Sequence, residues 1–333
     1  MRHPLSTRSV VAGLALAPVL LVTHGDGLAA SKCRIGTLGT QHVEFLEDRQ
    51  FTIEGAVNGQ SIRALVDTGS SLSSVGRKFA QQASLDLHRA RGVTAYGVGG
   101  ATDIDLAHVK TMTLGPMVLE RVDVPVIEHN AKAWDGIFGA DILFVHDLEM
   151  ALADEAIRVV IPQDCHDEFL AYWDREASAV PMSRISRDDH RQVITLQIND
   201  RDFKAMIDSG ASMSVIDTQA ASRVGVTRET SKVLADGQAK GIGPRQLDWW
   251  IAAFHKVVIG RESISDTRLS VADLRSPARE EANTETRIKR QVDLGYDMIL
   301  GADFLKSHRV LFSVQQQRFY FSYVGGRIFA IDR

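Results

Sequence analysis

Along this chain, short apolar runs alternate with polar turns, and the same alternation occurs twice. The segments "FTIEGAVNGQSIRALVD" (51–67) and "VITLQINDRDFKAMID" (193–208) each contain two apolar runs around a polar turn. The turns are Asn58-Gly59 and Asn199-Asp200, which are residue pairs suited to two-residue hairpins. Each segment is therefore predicted to form a β-hairpin.

Three further landmarks follow in the same order in each half. Segments 77–87 and 218–226 have helical character, and Asp217 and Thr218 are candidate caps for the second. Glycine-rich stretches follow at 96–100 and 241–244. Last comes an ungapped match of 23 residues that aligns "GADILFVHDLEMALADEAIRVVI" with "GADFLKSHRVLFSVQQQRFYFSY".

An internal repeat of this length predicts two homologous structural units. We expect an all-β fold of two homologous lobes in a pseudo-twofold arrangement, with a cleft between them. The N-terminal lobe is predicted over 34–163, a connector over 164–184 and the C-terminal lobe over 185–333. The charged segment 275–291 has no apolar period and is predicted to be a surface loop.

The N-terminus carries Arg2 and Arg8, then an apolar run over 10–22, then small residues up to Ala30. This layout predicts a signal peptide over 1–30 and an exported protein, periplasmic or secreted, with no membrane span in the mature chain. A buried N-terminal helix is the alternative. The net charge of −4 and the lack of a Lys/Arg run argue against nucleic acid as a partner.

The two cysteines, Cys33 and Cys165, both follow the predicted cleavage point. In an oxidising compartment they could form a disulfide, and the sequence leaves their pairing open. No spaced Cys/His set is present, so we predict neither a metal nor another cofactor.

The chemistry is carried by "ALVDTGSSLSSV" and "AMIDSGASMSVI", which place Asp67 and Asp208 after apolar pairs. Two carboxyls sharing one proton can act together as acid and base, because like charges about 3 Å apart do not both ionise readily. Such a pair could activate water while polarising a carbonyl oxygen. Two local Asx turns are the simpler alternative for these aspartates.

The doubled motif resembles the active-site signature of aspartic proteases of the pepsin and retroviral-protease superfamily. The triplets that end in Gly139 and Gly301 are similar to that family's second signature, and "YGVG" resembles its flap hairpin. The resemblance covers essentially the whole mature chain. It implies an aspartic endopeptidase that acts on peptide or protein substrates.

The resemblance also implies roles for particular residues. Asp67 and Asp208 would be catalytic, and substrate would lie under a flap. The residues expected to support the active site are Thr68, Gly69, Ser70, Ser209 and Gly210. The residues expected to form the flap or bind substrate are Tyr96, Gly97, Gly99, Gly241 and Gly243.

The two motifs are not identical, since Ser70 follows the first glycine and Ala211 the second. We expect the Ser70 hydroxyl to give Asp67 one hydrogen bond more than Asp208 receives, and Asp67 therefore to have the lower microscopic pKa. The second glycine stretch lacks a tyrosine, so the sequence does not decide whether the second lobe also has a flap over the cleft.

Two other interpretations remain at the level of sequence. The chain could be a non-catalytic peptide-binding or assembly protein that keeps the fold. Alternatively, each lobe could pair with another chain. We expect a monomer, because tethered halves can supply both aspartates to one cleft.

Overall fold

The computed structural model describes residues 33–97, 100–129, 131–240, 245–276 and 293–329. The predicted signal peptide and most of the predicted charged loop lie outside these residues. Within them the regular structure is almost entirely β-strand, so the predicted all-β class is confirmed. No helix among the described residues is both long and apolar enough to cross a membrane.

The first half builds a closed sheet, here called the first barrel. Its strands pair in the order β2-β3-β4-β9-β5-β8-β7-β6, and β7 also pairs with β3, which closes a ring of six strands. The strands are β2 (Glu44–Phe45), β3 (Phe51–Val57), β4 (Gln60–Val66), β5 (Ser74–Gly76), β6 (Asp86–Gly97), β7 (Gly100–Leu114), β8 (Met117–Ile127) and β9 (Gly136–Phe138).

The second half repeats this arrangement as the second barrel. The strand order is β13-β14-β19-β15-β18-β17-β16, and β17 pairs back with β13. The strands are β13 (Asp189–Ile198), β14 (Arg201–Ile207), β15 (Val215–Asp217), β16 (Asp236–Lys240), β17 (Gln246–Ile259), β18 (Glu262–Ala272) and β19 (Met298–Leu300).

A six-stranded antiparallel sheet joins the two barrels, and each half contributes three of its strands. The order is β1-β11-β10-β20-β21-β12, and β12 continues into the second barrel by pairing with β13. The strands are β1 (Arg34–His42), β10 (Asp147–Ala151), β11 (Ala156–Gln163), β12 (Ser178–Ser186), β20 (His308–Ser313) and β21 (Arg318–Tyr323).

The central sheet contains the pseudo-twofold axis. The sequence repeat aligns Glu149 with Leu311, and these two residues face each other where β10 pairs with β20. Glu149 is fully buried and forms ion pairs of 2.7 Å with both Arg158 and Arg309. Equivalent residues meet only at a twofold axis, so the repeat is also a structural symmetry.

Among the described residues, four short α-helices follow the repeat as well. They are α1 (Arg77–Gln82), α2 (Ala140–Leu143), α3 (Thr218–Ser222) and α4 (Ala302–Leu305). Asp217 caps α3 by accepting a 2.9 Å hydrogen bond from the Gln219 amide, as predicted. Both α1 and α3 are shorter than the helical segments in the sequence. Positive φ angles at Ser84 (49°) and Gly225 (77°) turn the chain away soon after each helix.

The two predicted hairpin turns are confirmed. Val57 pairs with Gln60 across Asn58-Gly59, and Ile198 pairs with Arg201 across Asn199-Asp200. All four turn residues have positive φ, which is the type I′ geometry that joins twisted strands. The Asn58 and Asn199 side chains also accept backbone hydrogen bonds from β7 and β17. Each hairpin is thus fixed to its own barrel.

The chain that leads into the central sheet is covalently held. Cys33 and Cys165 form a disulfide that ties the residue before β1 to the residues after β11. It packs beside a small buried cluster that includes Val160, Leu311 and Tyr320. The main apolar core runs through both barrels.

Candidate active site

Each aspartate follows directly after a buried strand. Asp67 comes after β4 and Asp208 after β14, and their amides donate to the carbonyls of Phe138 (3.0 Å) and Leu300 (2.9 Å). These acceptors end β9 and β19, which run parallel to β4 and β14. The apolar residues before each aspartate and before Gly139 and Gly301 therefore place both carboxyls at the barrel ends that face each other.

The two carboxyls meet between the barrels. Their side chains are in hydrogen-bond contact, so the aspartates that are 141 residues apart in sequence form one pair. Asp208 is 9% exposed, while Asp67 keeps partial exposure. A carboxyl pair with this limited exposure favours one shared proton over full ionisation.

Backbone amides hold both carboxylates from the motif itself. The Gly69 amide donates to Asp67 Oδ1 at 3.0 Å. The amides of Gly210 (2.8 Å) and Ala211 (3.1 Å) donate to Asp208 Oδ1. These bonds stabilise the ionised form of each group and fix its orientation.

Both motif glycines are required by close approach across the interface. A Cβ atom on Gly69 would lie 2.2 Å from Cγ of Asp208, and one on Gly210 would lie 2.4 Å from Cγ of Asp67. Each glycine thus packs against the carboxyl of the other motif. The glycines are needed for space between the barrels, since any side chain would displace the paired carboxyls.

Thr68 and Ser209 brace the two barrels reciprocally. The Thr68 hydroxyl donates to the Ile207 carbonyl at 2.8 Å and accepts from the Ser209 amide at 2.9 Å. The Ser209 hydroxyl donates to the Val66 carbonyl at 2.7 Å and accepts from the Thr68 amide at 3.1 Å. Both side chains are completely buried, so this four-bond network forms a rigid floor beneath the aspartates.

The local environment raises the pKa of both carboxyls. For Asp67, burial and the adjacent charge of Asp208 raise the pKa well above its ordinary value. Burial also raises the pKa of Asp208, but hydrogen bonds from Asp67, Gly210 and Ala211 and the positive charge of Arg191 oppose that rise. The pair therefore keeps a proton to higher pH than separate aspartates would.

The hydrogen bond predicted from the Ser70 hydroxyl to Asp67 is absent. The Ser70 hydroxyl donates to the Leu72 carbonyl at 2.9 Å instead. The Ser70 amide donates to the main-chain carbonyl of Asp67 at 3.2 Å, whereas the Ala211 amide donates to Oδ1 of Asp208 at 3.1 Å. The prediction that Asp67 receives one hydrogen bond more than Asp208 is therefore wrong, and a lower pKa of Asp67 no longer follows from it.

The predicted flap residues are only partly described. β6 and β7 form a hairpin in which Gly97 pairs with Gly100, and Tyr96 pairs with Ala101 along the backbone. Gly99 lies outside the described residues. In the second barrel, β16 and β17 pair up to Lys240 and Gln246, while Gly241 and Gly243 lie outside the described residues. Both barrels thus carry a strand pair at the equivalent place.

In each half a further carboxyl supports the motif loop: Asp141, which is half-buried, and Asp303, which is buried. The hydroxyl of Ser73 donates to Asp141 at 2.6 Å, and that of Ser214 donates to Asp303 at 2.7 Å. The same hydroxyls accept from the amides of Gly139 and Gly301. Sequence reasoning missed this link, although both serines and both aspartates fall at aligned positions of the repeat.

One more aligned position lies beside the dyad and differs between the halves. Gln50 and Arg191 each precede their aspartate by the same number of residues. The Gln50 side chain donates to the Gly210 carbonyl, and the Arg191 guanidinium contacts the Gly69 carbonyl at 3.5 Å. The alignment of the repeat could have found these residues, but neither residue type by itself indicates a site.

Two barrels that bring a repeated Asp-Thr/Ser-Gly motif together in one braced carboxyl pair define the aspartic protease class. The aspartyl protease family model matches residues 53–142 and 194–304, which include both motifs. The chain belongs to this family, and the resemblance read from the sequence is confirmed.

One relative of different description also shows similarity. A 4-hydroxy-2-oxovalerate aldolase of Thermomicrobium roseum is 27% identical over 172 residues, which cover 47% of this chain. The match covers 45% of the aldolase, so this chain spans less than half of that relative's length.

Proposed function

We propose that this protein is an aspartic endopeptidase that hydrolyses peptide bonds through a water molecule activated by Asp67 and Asp208. The observation that carries the proposal is the carboxyl pair itself, in which Asp67 and Asp208 meet where the barrels join and each packs against the motif glycine of the other half. The family membership supports the same reaction class. The aldolase similarity involves less than half of each chain, and we do not extend that relative's activity to this protein.

The monoprotonated pair is the form suited to hydrolysis. The ionised carboxylate accepts a proton from water while the water oxygen bonds to the peptide carbonyl carbon. The protonated carboxyl donates its proton to the carbonyl oxygen, which gives a neutral tetrahedral diol. Collapse of the diol breaks the C–N bond: the carboxyl that took the proton from water gives it to the leaving nitrogen, and a diol hydroxyl returns its proton to the other carboxylate as the new C=O bond forms. Each proton gained by the dyad is therefore returned within one turnover.

The substrate class follows from the strands around the site. The β6–β7 hairpin ends at the glycine-rich stretch that the sequence predicts to be the flap. Such a hairpin can hold an extended peptide by strand-like backbone hydrogen bonds. We propose Tyr96 and Gly97 as substrate-facing residues and an extended peptide or protein as substrate. We also propose that one monomer contains the complete site.

An oxidising location is part of the proposal. The disulfide between Cys33 and Cys165 is typical of proteins outside the reducing cytosol. It therefore supports export, as the sequence of residues 1–30 predicts. The natural compartment would be the periplasm or the extracellular space.

The test is cleavage of a peptide library between pH 3 and 8 by the native protein, Asp67→Asn and Asp208→Asn. We expect each variant to lose cleavage by about 10²–10⁴-fold, because each removes one partner of the acid–base pair. Asp266→Asn, at an exposed position of β18, serves as the matched control and should cleave normally. Cleavage that persists in both dyad variants, or peptide binding by the native protein without turnover at any pH, would contradict the proposal.

A further inference from the structure

The pseudo-twofold symmetry is broken at the position that lies beside the dyad. In the first half this position is neutral Gln50, just before β3, and in the second half it is Arg191 in β13. Both side chains reach across to a motif glycine of the other half, Gly210 and Gly69 respectively. The geometry is alike, so the difference between the halves is one positive charge.

The contacts show which aspartate this charge faces. Gly69, whose carbonyl Arg191 approaches, packs directly against the carboxyl of Asp208. Gly210, whose carbonyl Gln50 contacts, packs against the carboxyl of Asp67 in the same way. The guanidinium is therefore on the Asp208 side of the dyad, and the neutral amide is on the Asp67 side.

Arg191 is held firmly in this position. Its Nε lies 2.9 and 3.0 Å from the two carboxylate oxygens of Asp189, and its Nη2 lies 2.5 Å from Oδ2. Nη1 also contacts the Met206 sulfur at 3.8 Å. The side chain is 24% exposed, and a guanidinium keeps its charge at every physiological pH.

The other titratable groups near Asp208 lie in the same half. Tyr296 interacts with Arg191 and Asp208, and Arg275 interacts with Tyr296 and pairs with Asp217. Burial raises the pKa of Tyr296, so this group stays neutral near pH 7. Among the described residues, the charge that acts most strongly on Asp67 is that of Asp208. Arg191 is therefore the cation that distinguishes the two carboxyls.

We propose that Arg191 is a positioning residue that keeps Asp208 ionised and so assigns the shared proton to Asp67. The proposal rests on the proposed function. In that reaction Asp208 takes the proton from water, and Asp67 gives its proton to the carbonyl oxygen. The backbone donors act in the same direction, since Asp208 Oδ1 accepts from two motif amides and Asp67 Oδ1 from one, and Arg191 adds a positive charge on the Asp208 side.

A direct test measures where the proton resides. The protein is labelled with ¹³C at the aspartate carboxyls and titrated by NMR, and Asp67→Asn and Asp208→Asn identify the two signals. We expect Asp67 to take up its proton at higher pH than Asp208. Asp208 taking up its proton first would overturn the proposal.

Variants then test the cause. Arg191→Gln combined with Asp189→Asn removes the cation without leaving its partner uncompensated, and it places in the second half the residue that the first half carries. We expect the separation, which is the difference between the apparent pKa values of Asp67 and Asp208, to narrow by about one pH unit. This is the lower end of the effect that a nearby opposite charge has on a pKa. Arg191→Lys keeps the charge and should preserve the separation. An unchanged separation in the double variant would overturn the proposal.

A second variant covers the case in which the double variant does not fold. Gln50→Arg adds the same cation on the Asp67 side, and we expect it also to narrow the separation. A separation that widens or does not change would count against the proposal.

The pH dependence of peptide cleavage distinguishes the role of Arg191 from the proposed protease function. In the double variant the acidic limb of the kcat/KM profile should move up by about one pH unit, because the base is then protonated more easily. If no peptide is cleaved but the NMR titrations behave as expected, the proton assignment stands and the protease proposal fails. If the dyad variants abolish cleavage and the titrations do not respond to Arg191, the protease proposal stands and this one fails.

Discussion

At Asp67 the structure opposes the negative charge of the side chain. Burial and the neighbouring Asp208 both oppose its negative charge, so its pKa is well above the ordinary value. In the unfolded chain neither influence acts, and the carboxyl ionises at a pKa of about 3.9. The folded state therefore binds a proton that the unfolded state releases, and folding is penalised as the pH rises.

This penalty predicts a pH-dependent effect of Asp67→Asn on stability. The amide cannot ionise, so the variant should be more stable than the native protein at neutral pH, with a higher free energy of unfolding. The gain should be complete above the raised pKa of the folded state and should disappear as the pH falls to about 4. Urea unfolding at pH 4, 5.5 and 7 measures it. A gain that is equal at all three pH values would contradict this explanation.

At the same scale, the sequence predicted most of the dyad's immediate surroundings. Both aspartates, both glycines and the bracing hydroxyls could be read from the doubled motif, because their contacts follow from local geometry. The proton preference could not be read, because an arginine by itself does not indicate a site, although the β13–β14 hairpin brings Arg191 towards Asp208 within one barrel. The predicted hydrogen bond from Ser70 to Asp67 was wrong because the Ser70 hydroxyl donates to the Leu72 carbonyl instead.

At the scale of elements, the strands β4 and β14 end in the brace that joins the barrels. Thr68 and Ser209 use both hydroxyls and both amides in bonds that cross the interface. A buried polar network is stabilising only when each member is satisfied, and here all four bonds are made. The brace therefore couples the integrity of the site to the contact between barrels.

Thr68→Val tests this coupling. Valine keeps the shape of threonine, but it leaves the Ile207 carbonyl and the Ser209 amide without their partner. We expect a loss of about 1–3 kcal/mol in the free energy of unfolding for each unsatisfied group, together with loss of cleavage. Thr68→Ser keeps the hydroxyl and should remain active. Thr37→Val, at an exposed position of β1, should change stability by less than about 0.5 kcal/mol. Equal stability of Thr68→Val and the native protein would show that the brace contributes nothing.

The elements themselves were predictable where two signals agreed. Alternating apolar residues and an Asn-Gly or Asn-Asp turn identified both early hairpins. The strand runs after Gly139 and Gly301 were also visible, but their partners were not. β10 and β20 pair with each other across the halves, and no periodicity in one strand reveals a partner more than 150 residues away. The partner of β1 was not predictable either, because β1 pairs with β11, more than 100 residues later in the chain, at the edge of the central sheet.

At the scale of the whole molecule, the central sheet carries the connection between the halves. Its first strand, β1, is an edge strand that pairs with β11 alone among the strands that the structure describes. The disulfide closes a sequence separation of 132 residues and secures the start of this strand. The cross-link limits the freedom of the unfolded chain and keeps β1 paired.

Removing the cross-link should therefore affect stability more than catalysis. We expect Cys33→Ala with Cys165→Ala to lower the free energy of unfolding by about 2–4 kcal/mol in urea. Peptide cleavage by the folded variant should stay within about twofold of the native rate, because a change below about 0.4 kcal/mol is expected in the activation barrier at a remote site. An unchanged urea midpoint, or loss of cleavage in a variant that is still folded, would contradict this separation of roles.

The pairing of Glu149 with Leu311 has a consequence for how this molecule can have diverged. In a dimer of identical halves, the residue at this position would face its own copy. Two glutamates there would repel each other, and two leucines would offer no carboxylate to the flanking arginines. Only a chain that encodes each half separately can keep one of each. Neither half could now be replaced by a duplicate of the other without creating a conflict at the axis, so the halves have become complementary at this position.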